Sequence, residues 1–389
     1  MPTSRDHVLG FLQALVRIDS RNPGLEVDGP GERDAALQVQ DWLHSFGWQS
    51  DLHDLGPGRA NLVARRPGTG HGSSLMLNVH LDTVGVAGMS EPFSGALRDG
   101  RVYGRGAQDT KGGAAAVLEV ARRIAENEVA LDGDLVLAFV ADEEHESIGT
   151  TDLVRHVRTD AAVVLEPSDL DVVIGHRGFA VFEVEVRGHM AHGGRPDVGV
   201  DANLHLAHVL VELGRLGARW KSTRVHPEMG AASLHVPIVQ GGRHLFVYAD
   251  RSVAQIECRT IPGQTADDVQ RELREALEAA SSAVPDLDVR LELVQWRTPY
   301  EIDPERPVVR DLLACCAHDA HLTFHPWWED SALLGEAGID TVVMGPRGGG
   351  LHTEEEWVDF DSVVDLADIL YRLVLRFCRT NPESTRGDA

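Results

Sequence analysis

The chain has 389 residues, 43% apolar and 25% charged, which suits two or three globular domains with a sizeable core. A net charge of −25 repels phosphate backbones and argues against a nucleic-acid partner. No stretch nears the ~18 consecutive apolar residues of a membrane span, so no membrane partner is expected.

The four cysteines, Cys258, Cys315, Cys316 and Cys378, lack CxxC spacing and are too sparse for a disulfide framework. With no apolar leader after Met1, a cytoplasmic protein is expected. Only two basic residues are lysines, Lys111 and Lys221.

Apolar residues recur at helical spacing over Val8–Ile18 and Arg33–Phe46, where Gly47 stops the pattern. Short apolar runs at Asn61–Ala64, Leu75–Val79, Leu135–Val140 and Ala161–Leu165 predict strands, with an Ala-rich helix over Gly113–Glu126 between the second and third. This alternation predicts an α/β layered domain with a largely parallel sheet. From about Gly178 the texture changes to period-two alternation, marking a strand with one wet face. A helix over Asp201–Leu216 follows, then strands near Ala232–Val239, Leu245–Tyr248 and Ser252–Arg259. A helix at Thr265–Ser281 and a strand at Asp288–Val294 complete the run. Its β-α-β-β-α-β order predicts a ferredoxin-like α+β unit. The α/β texture resumes with helices Val308–Ala320, Ser331–Ala337 and Ser362–Cys378 and a strand at Thr341–Met344. The predicted plan is an α/β domain in two parts, 1–177 and 296–389, with an α+β domain, 178–295, inserted. The tail after Arg379 reads as frayed.

Each α/β strand runs into an ionisable group. Leu75–Val79 leads to His80 and Asp82, and Leu135–Val140 to Asp142-Glu143-Glu144. Ala161–Leu165 leads to Glu166, and Thr341–Met344 to a Gly-rich loop ending in His352. Open α/β sheets place their sites at the carboxyl ends of strands, so His80, Glu144, Glu166 and His352 are expected on one rim. Asp109 joins them from the loop before the Ala-rich helix. Two histidines and three carboxylates suit zinc, and one carboxylate beyond a single tetrahedral site suggests two ions. Such a pair needs a bridging anion, for which Asp109 is the candidate. Asp82 is placed to accept the imidazole N–H of His80, and Glu143 is left as general base. Taken singly, a His-x-Asp or a Glu-Glu pair is more often a solvated surface feature; their joint placement at strand ends carries the reading.

These motifs resemble a family of two-zinc deacylases and exopeptidases. It includes acetylornithine deacetylase, succinyl-diaminopimelate desuccinylase, aminoacylase and glutamate carboxypeptidase. The similarity runs from Ser20-Arg-Asn-Pro23 to Trp357-Val358. It rests on Asn78-Val-His80-Leu-Asp82, Gly104-Arg-Gly-Ala-Gln-Asp109-Thr-Lys-Gly-Gly, Asp142-Glu-Glu144, Leu165-Glu166-Pro167 and Gly350-Leu-His352-Thr-Glu-Glu-Glu356-Trp. The resemblance implies a zinc-exopeptidase-like catalytic domain with a ferredoxin-like lid and dimerisation domain. It implies one Zn2+ on His80 and Glu166, another on Glu144 and His352, and Asp109 bridging, with Co2+ as a substitute ion. Glu143 would be the base, Asp82 the support of His80, and the Asp109–Thr110 bond cis. In the lid, Gly188-His-Met-Ala-His192 resembles the segment whose second histidine reaches the neighbouring active site of a homodimer. His192 would there stabilise the oxyanion. Arg259, in Glu257-Cys258-Arg259, would grip the substrate carboxylate with a bidentate fork.

The implied activity is hydrolysis of an N-acyl amino acid. The alternatives are a dipeptidase or glutamate-type carboxypeptidase acting on short peptides, and a catalytically inactive, metal-bearing peptide-binding protein. A carbamoyl-amide hydrolase fits less well, since such relatives tend to carry histidine where this chain has Glu166. Two departures from the family pattern hint at altered substrate choice. Arg243-His244 follow Gly241-Gly242, and Trp327-Trp328 precede Glu329-Asp330, where relatives often carry small residues before an aspartate.

Overall fold

A computed structural model describes residues 2–317 and 319–379. The tail expected to fray beyond Arg379 lies outside the described residues. The chain divides into two compact units. One runs from the start to Ile174 and includes Ile302–Thr323 and the segment from Glu329 onward; the other comprises Gly175–Glu301 and Phe324–Trp328. The backbone N–H of Ile302 donates to the carbonyl of Ile174 at 2.9 Å, so the first unit's chain is rejoined where it was interrupted.

The first unit is built on a mixed sheet. In spatial order its strands are Ser50–Gly56, Arg59–Arg66, Leu135–Val140, Leu75–His80, Ala161–Val164, Asp340–Val343 and Val172–His176. The middle four strands are mutually parallel, and every residue of Leu75–His80 and Leu135–Val140 is buried. Near-continuous apolar runs reflect that burial on both faces. The sheet is not largely parallel, as the sequence suggested. Ser50–Gly56 and Arg59–Arg66 form an antiparallel hairpin on one flank, and Val172–His176 runs antiparallel to Asp340–Val343 on the other. Arg59–Arg66 contains the run expected as a strand at Asn61–Ala64, whereas Ser50–Gly56 is only partly covered and carries polar residues at most positions.

Below the sheet lies a core that includes Met76, Val136, Val140, Val164, Val343 and Leu334. The helix Gly112–Glu126 is buried on all sides from Gly112 to Ile124, which explains its alanines, and packs against Arg5–Arg17 and Phe360–Phe377. One helix, Ile148–His156, escaped the sequence reading. The helix expected over Val308–Ala320 is shorter, Pro307–Cys315, and His318 falls outside the described residues.

The second unit is a four-stranded antiparallel sheet in the order Ser233–Gly241, Arg251–Thr260, Gly178–Arg187, Asp288–Arg297, with helices Ala202–Thr223 and Ala266–Ala283 on one face. That is ferredoxin-like connectivity. Ala180, Phe182, Val184 and Val186 alternate inward and meet Leu206, Val209, Leu213, Leu216 and Trp220 of the first helix. The strand expected at Leu245–Tyr248 is reduced to a turn at Leu245–Phe246 and a lone antiparallel bridge from Val247 to His192. Leu245 and Phe246 are 88% and 74% exposed, so their apolar character buries nothing within the chain.

No described helix is long and apolar enough to cross a membrane.

Candidate active site

Parallel pairing sets the register that assembles the site. His80 lies opposite Val140, and Asn78 opposite Val164. Two further residues on each side bring Asp142 level with Asp82 and Glu166 level with His80. The donors His80, Glu143, Glu144 and Glu166 therefore emerge together at the carboxyl ends of the central strands. Asp109 enters from the wide turn Ala107–Lys111, ahead of the helix Gly112–Glu126; the Asp109–Thr110 peptide bond is cis. His352 comes from the loop between the short strands Gly348–Gly349 and Trp357–Asp359.

Asp109 stands between two imidazoles. Its Oδ1 lies 3.0 Å from His80 Nε2, and its Oδ2 lies 3.2 Å from His352 Nε2. Around this axis, Glu166 Oε1 is 3.4 Å from His80 Nε2, and Glu144 Oε2 is 3.2 Å from His352 Nε2. Ligand-capable atoms of His80, Asp109 and Glu144 fall within 4.8 Å of one another, as do those of His80, Glu143 and Glu166. Glu143 is therefore near enough to ligate as well as to act as a base. His80 is 1% exposed in its side chain and His352 53%, so His352 marks the open side.

The donor set carries more negative charge than it can hold unaided. Burial, with neighbouring carboxylates adding to it, pushes Glu143 and Glu166 well above the ordinary carboxylate range and Glu144 up to about 7. Burial also opposes charge on Asp109, but hydrogen bonds with His352 and His80 outweigh it and hold that carboxyl low. His352 rises to about 10 beside Asp109 and Glu144. Buried His80 is also raised, because Glu166, Asp109 and Asp82 overcome its desolvation. Without cations, protons must offset the crowded carboxylates. Divalent ions would replace those protons, and the oxygen–nitrogen donor set suits zinc or similar metals.

A second layer fixes the donors. His80 Nδ1 lies 3.0 Å from the Asp82 carbonyl and 3.4 Å from Asp82 Oδ1; both are acceptors, so Nδ1 keeps its proton and Nε2 is the atom that would face a cation once its own proton is displaced. Asp82 also accepts the backbone N–H groups of Glu143 and Glu144, at 3.1 and 3.2 Å. Asn22 Nδ2 donates to Asp82 Oδ2 at 2.7 Å and to Asp142 Oδ1 at 2.9 Å. A third cluster, Asp142, His145 and Glu146, also has metal-like spacing. Its Asp142 is already taken by Arg59 at 2.6 Å and by Asn22, so it serves as a strut.

The sequence alone offers Asn22 only as part of a motif and Asp330 only as the residue after Glu329. Asp330 is buried, accepts from Thr150 Oγ1 at 2.5 Å, and is one of the like charges raising Glu143.

His192 and Arg259 belong to the second unit. His192 is exposed; its Nδ1 accepts from Gly194 N at 3.1 Å, so the neutral ring carries its proton on Nε2. Arg259 pairs through Nε with Glu257 at 2.5 Å, and its guanidinium lies 5.4 Å from the ring centre of Phe179.

The model of peptidase family M20/M25/M40 matches residues 76–376. The chain belongs to this family. Among its M20/M25/M40 relatives, the acetylornithine deacetylase of Myxococcus xanthus is 30% identical over 341 residues, covering 85% of this chain and 87% of that protein. The N-formyl-4-amino-5-aminomethyl-2-methylpyrimidine deformylase of Bacillus subtilis is 28% identical over 391 residues, covering 89% and 90%. In fold, the chain is similar to the aminopeptidase PepT of Bacillus cereus, with a TM-score of 0.79 at 18% identity over 96% of this chain and 98% of that one.

Proposed function

We propose that this chain hydrolyses the amide bond of an N-acyl amino acid, releasing a carboxylic acid and a free amine, at a site holding two divalent cations, with zinc the natural choice. Family membership and the two deacylase relatives support amide hydrolysis. The observation that carries the two-ion reading is Asp109, whose two oxygens face one histidine each. In this reading His80, Glu166 and Asp109 hold one ion, and Asp109, Glu144 and His352 the other. Bound cations supply Lewis-acid polarisation of the scissile carbonyl and lower the pKa of water.

Glu143 takes the proton from the attacking water and hands it to the leaving nitrogen. Its burial beside Glu144 and Asp330 suits a carboxyl that must carry a proton part-way through the cycle. His192 donates its Nε2 proton to the oxyanion, in trans, in a homodimer. Arg259 grips the substrate carboxylate with its Nη groups. The homodimer reading draws on the second unit. Its edge strand Ser233–Gly241 leaves Ile238 and Val239 exposed, and the helix Ala202–Thr223 does the same with Leu204 and Val211. Four free cysteines fit a reducing, cytoplasmic setting.

The test is a hydrolysis panel of acetyl, succinyl, formyl and aromatic acyl amino acids against dipeptides, run with zinc and with cobalt, on wild type and Glu143→Ala. Expected are acyl amino acid turnover abolished by a chelator and restored by metal, and a variant that keeps its metal but loses at least ~100-fold in kcat. Undiminished turnover in Glu143→Ala, or cleavage of dipeptides alone, would overturn the reading.

A further inference from the structure

Glu356 is 1% exposed and lies four residues beyond His352. None of the roles described above uses it, yet both of its carboxylate oxygens are engaged. Oε2 accepts from Arg105 Nη1 at 2.8 Å and from Gly106 N at 3.1 Å. Oε1 accepts from Gln108 N at 3.0 Å and from Asp109 N at 3.2 Å. Three of these four donors are backbone N–H groups of the loop that presents Asp109. That loop wraps the carboxylate, with Gly104 N donating to the Glu356 carbonyl at 3.1 Å. Positive φ angles at Gly104 and Gly106 allow the wrap. Arg105 extends the frame in two directions. Its Nε donates to the Gly85 carbonyl at 2.9 Å and its Nη2 to the Thr353 carbonyl at 2.8 Å. Thr353 directly follows His352.

We infer that Glu356 is a positioning residue for the half of the cation site shared by Asp109 and His352. Through three backbone bonds it fixes the approach to Asp109. Through Arg105 it fixes the backbone just after His352. Asp109 and His352 come from segments 243 residues apart, and their facing atoms sit 3.2 Å from each other. Asp109 and Glu144 repel each other across the same space, so an unframed site would splay open before an ion arrived. A frame that holds the donors in place in advance lowers the ordering cost of binding. The inference rests on the reading of Asp109 and His352 as cation ligands.

Glu356→Gln is the informative change because it keeps shape. An amide replaces one acceptor oxygen with an NH2 group, which must then face N–H donors on one side of the frame or the other. Arg105→Lys keeps the charge but cannot reach Glu356, Gly85 and Thr353 together. The experiment is a calorimetric zinc titration of chelator-stripped wild type, Glu356→Gln, Arg105→Lys and Asp109→Asn. It is paired with thermal melting of each stripped protein and with kcat and KM at saturating zinc. Expected is a roughly 10–100-fold weaker zinc affinity at one of two sites in Glu356→Gln, a smaller loss in Arg105→Lys, and little change in KM. If Asp109→Asn loses zinc while the other two variants bind like wild type, the role of Glu356 is refuted. A lowered melting temperature with unchanged zinc affinity refutes it equally, because that marks a strut with no bearing on the ions. If Asp109→Asn itself binds like wild type, the cation-site reading falls and this inference with it. Should Glu356→Gln fail to fold, Arg105→Lys carries the same comparison.

Discussion

Asp82 Oδ1 accepts the backbone N–H of Glu143 at 3.1 Å, so the residue that orients His80 also holds the proposed base in place. Asp82→Asn keeps the volume but offers an amide NH2 to groups that are themselves donors. It is expected to lower metal affinity by roughly 10–100-fold and to lower kcat even with metal in excess. Metal content after dialysis, set beside kcat at saturating zinc, measures both. A variant with full metal content and wild-type kcat would show that Asp82 is dispensable.

Gly350 adopts φ +77°, and a Cβ added there would lie 1.7 Å from the carbonyl oxygen of Glu355. An alanine must therefore move the backbone two residues before His352, which itself sits at φ +58°. Gly263 makes a matched control, with φ +87° and open space around the same added atom. Gly263→Ala is expected to cost about 1–2 kcal/mol from conformation alone, with metal binding intact. Gly350→Ala is expected to lose more stability and to weaken metal binding. Equal effects of the two changes on both readouts would argue against a tight turn behind His352.

Glu32 is buried and accepts from Ala60 N at 3.2 Å. Burial, reinforced by Asp82, raises its pKa from 4.5 to about 8. Between those values the folded chain holds a proton that the unfolded chain has released, so this group's contribution to stability falls as pH rises through the window. The slope is roughly 1.4 kcal/mol per pH unit. Glu32→Gln has no such proton to lose. Its stability relative to wild type is expected to improve steadily from pH 5 to pH 8, as denaturant midpoints at three pH values would show. A constant difference across that range would rule out the titration.

Much of the centre of the site was legible because parallel strands buried on both faces leave a plain mark: unbroken apolar runs stopping at ionisable residues. Leu75–His80 and Leu135–Val140 are the clearest cases. The flanking strands were less visible. Ser50–Gly56 is polar at most positions, and Val172–His176 has only three apolar residues before Gly175 and His176. Leu245–Tyr248 misled in the other direction, since Leu245 and Phe246 face solvent. Asn22, Asp330 and Glu356 went unassigned for a different reason. Each acts through partners far away in the chain, such as Asn22 with Asp82 and Asp142, or Glu356 with Arg105. No local spacing records such pairs. Only a signal linking distant positions could have found them.

Because the Ile302 N–H donates back to the Ile174 carbonyl, the long segment Gly175–Glu301 leaves and re-enters the first unit's chain at adjoining residues, one port for its two ends. Four of the five proposed metal donors precede the port and the fifth follows it. A growing chain can therefore complete the donor set only after the entire insert has been synthesised. Sequence changes confined to Gly175–Glu301 leave untouched the strand ends that carry these proposed donors.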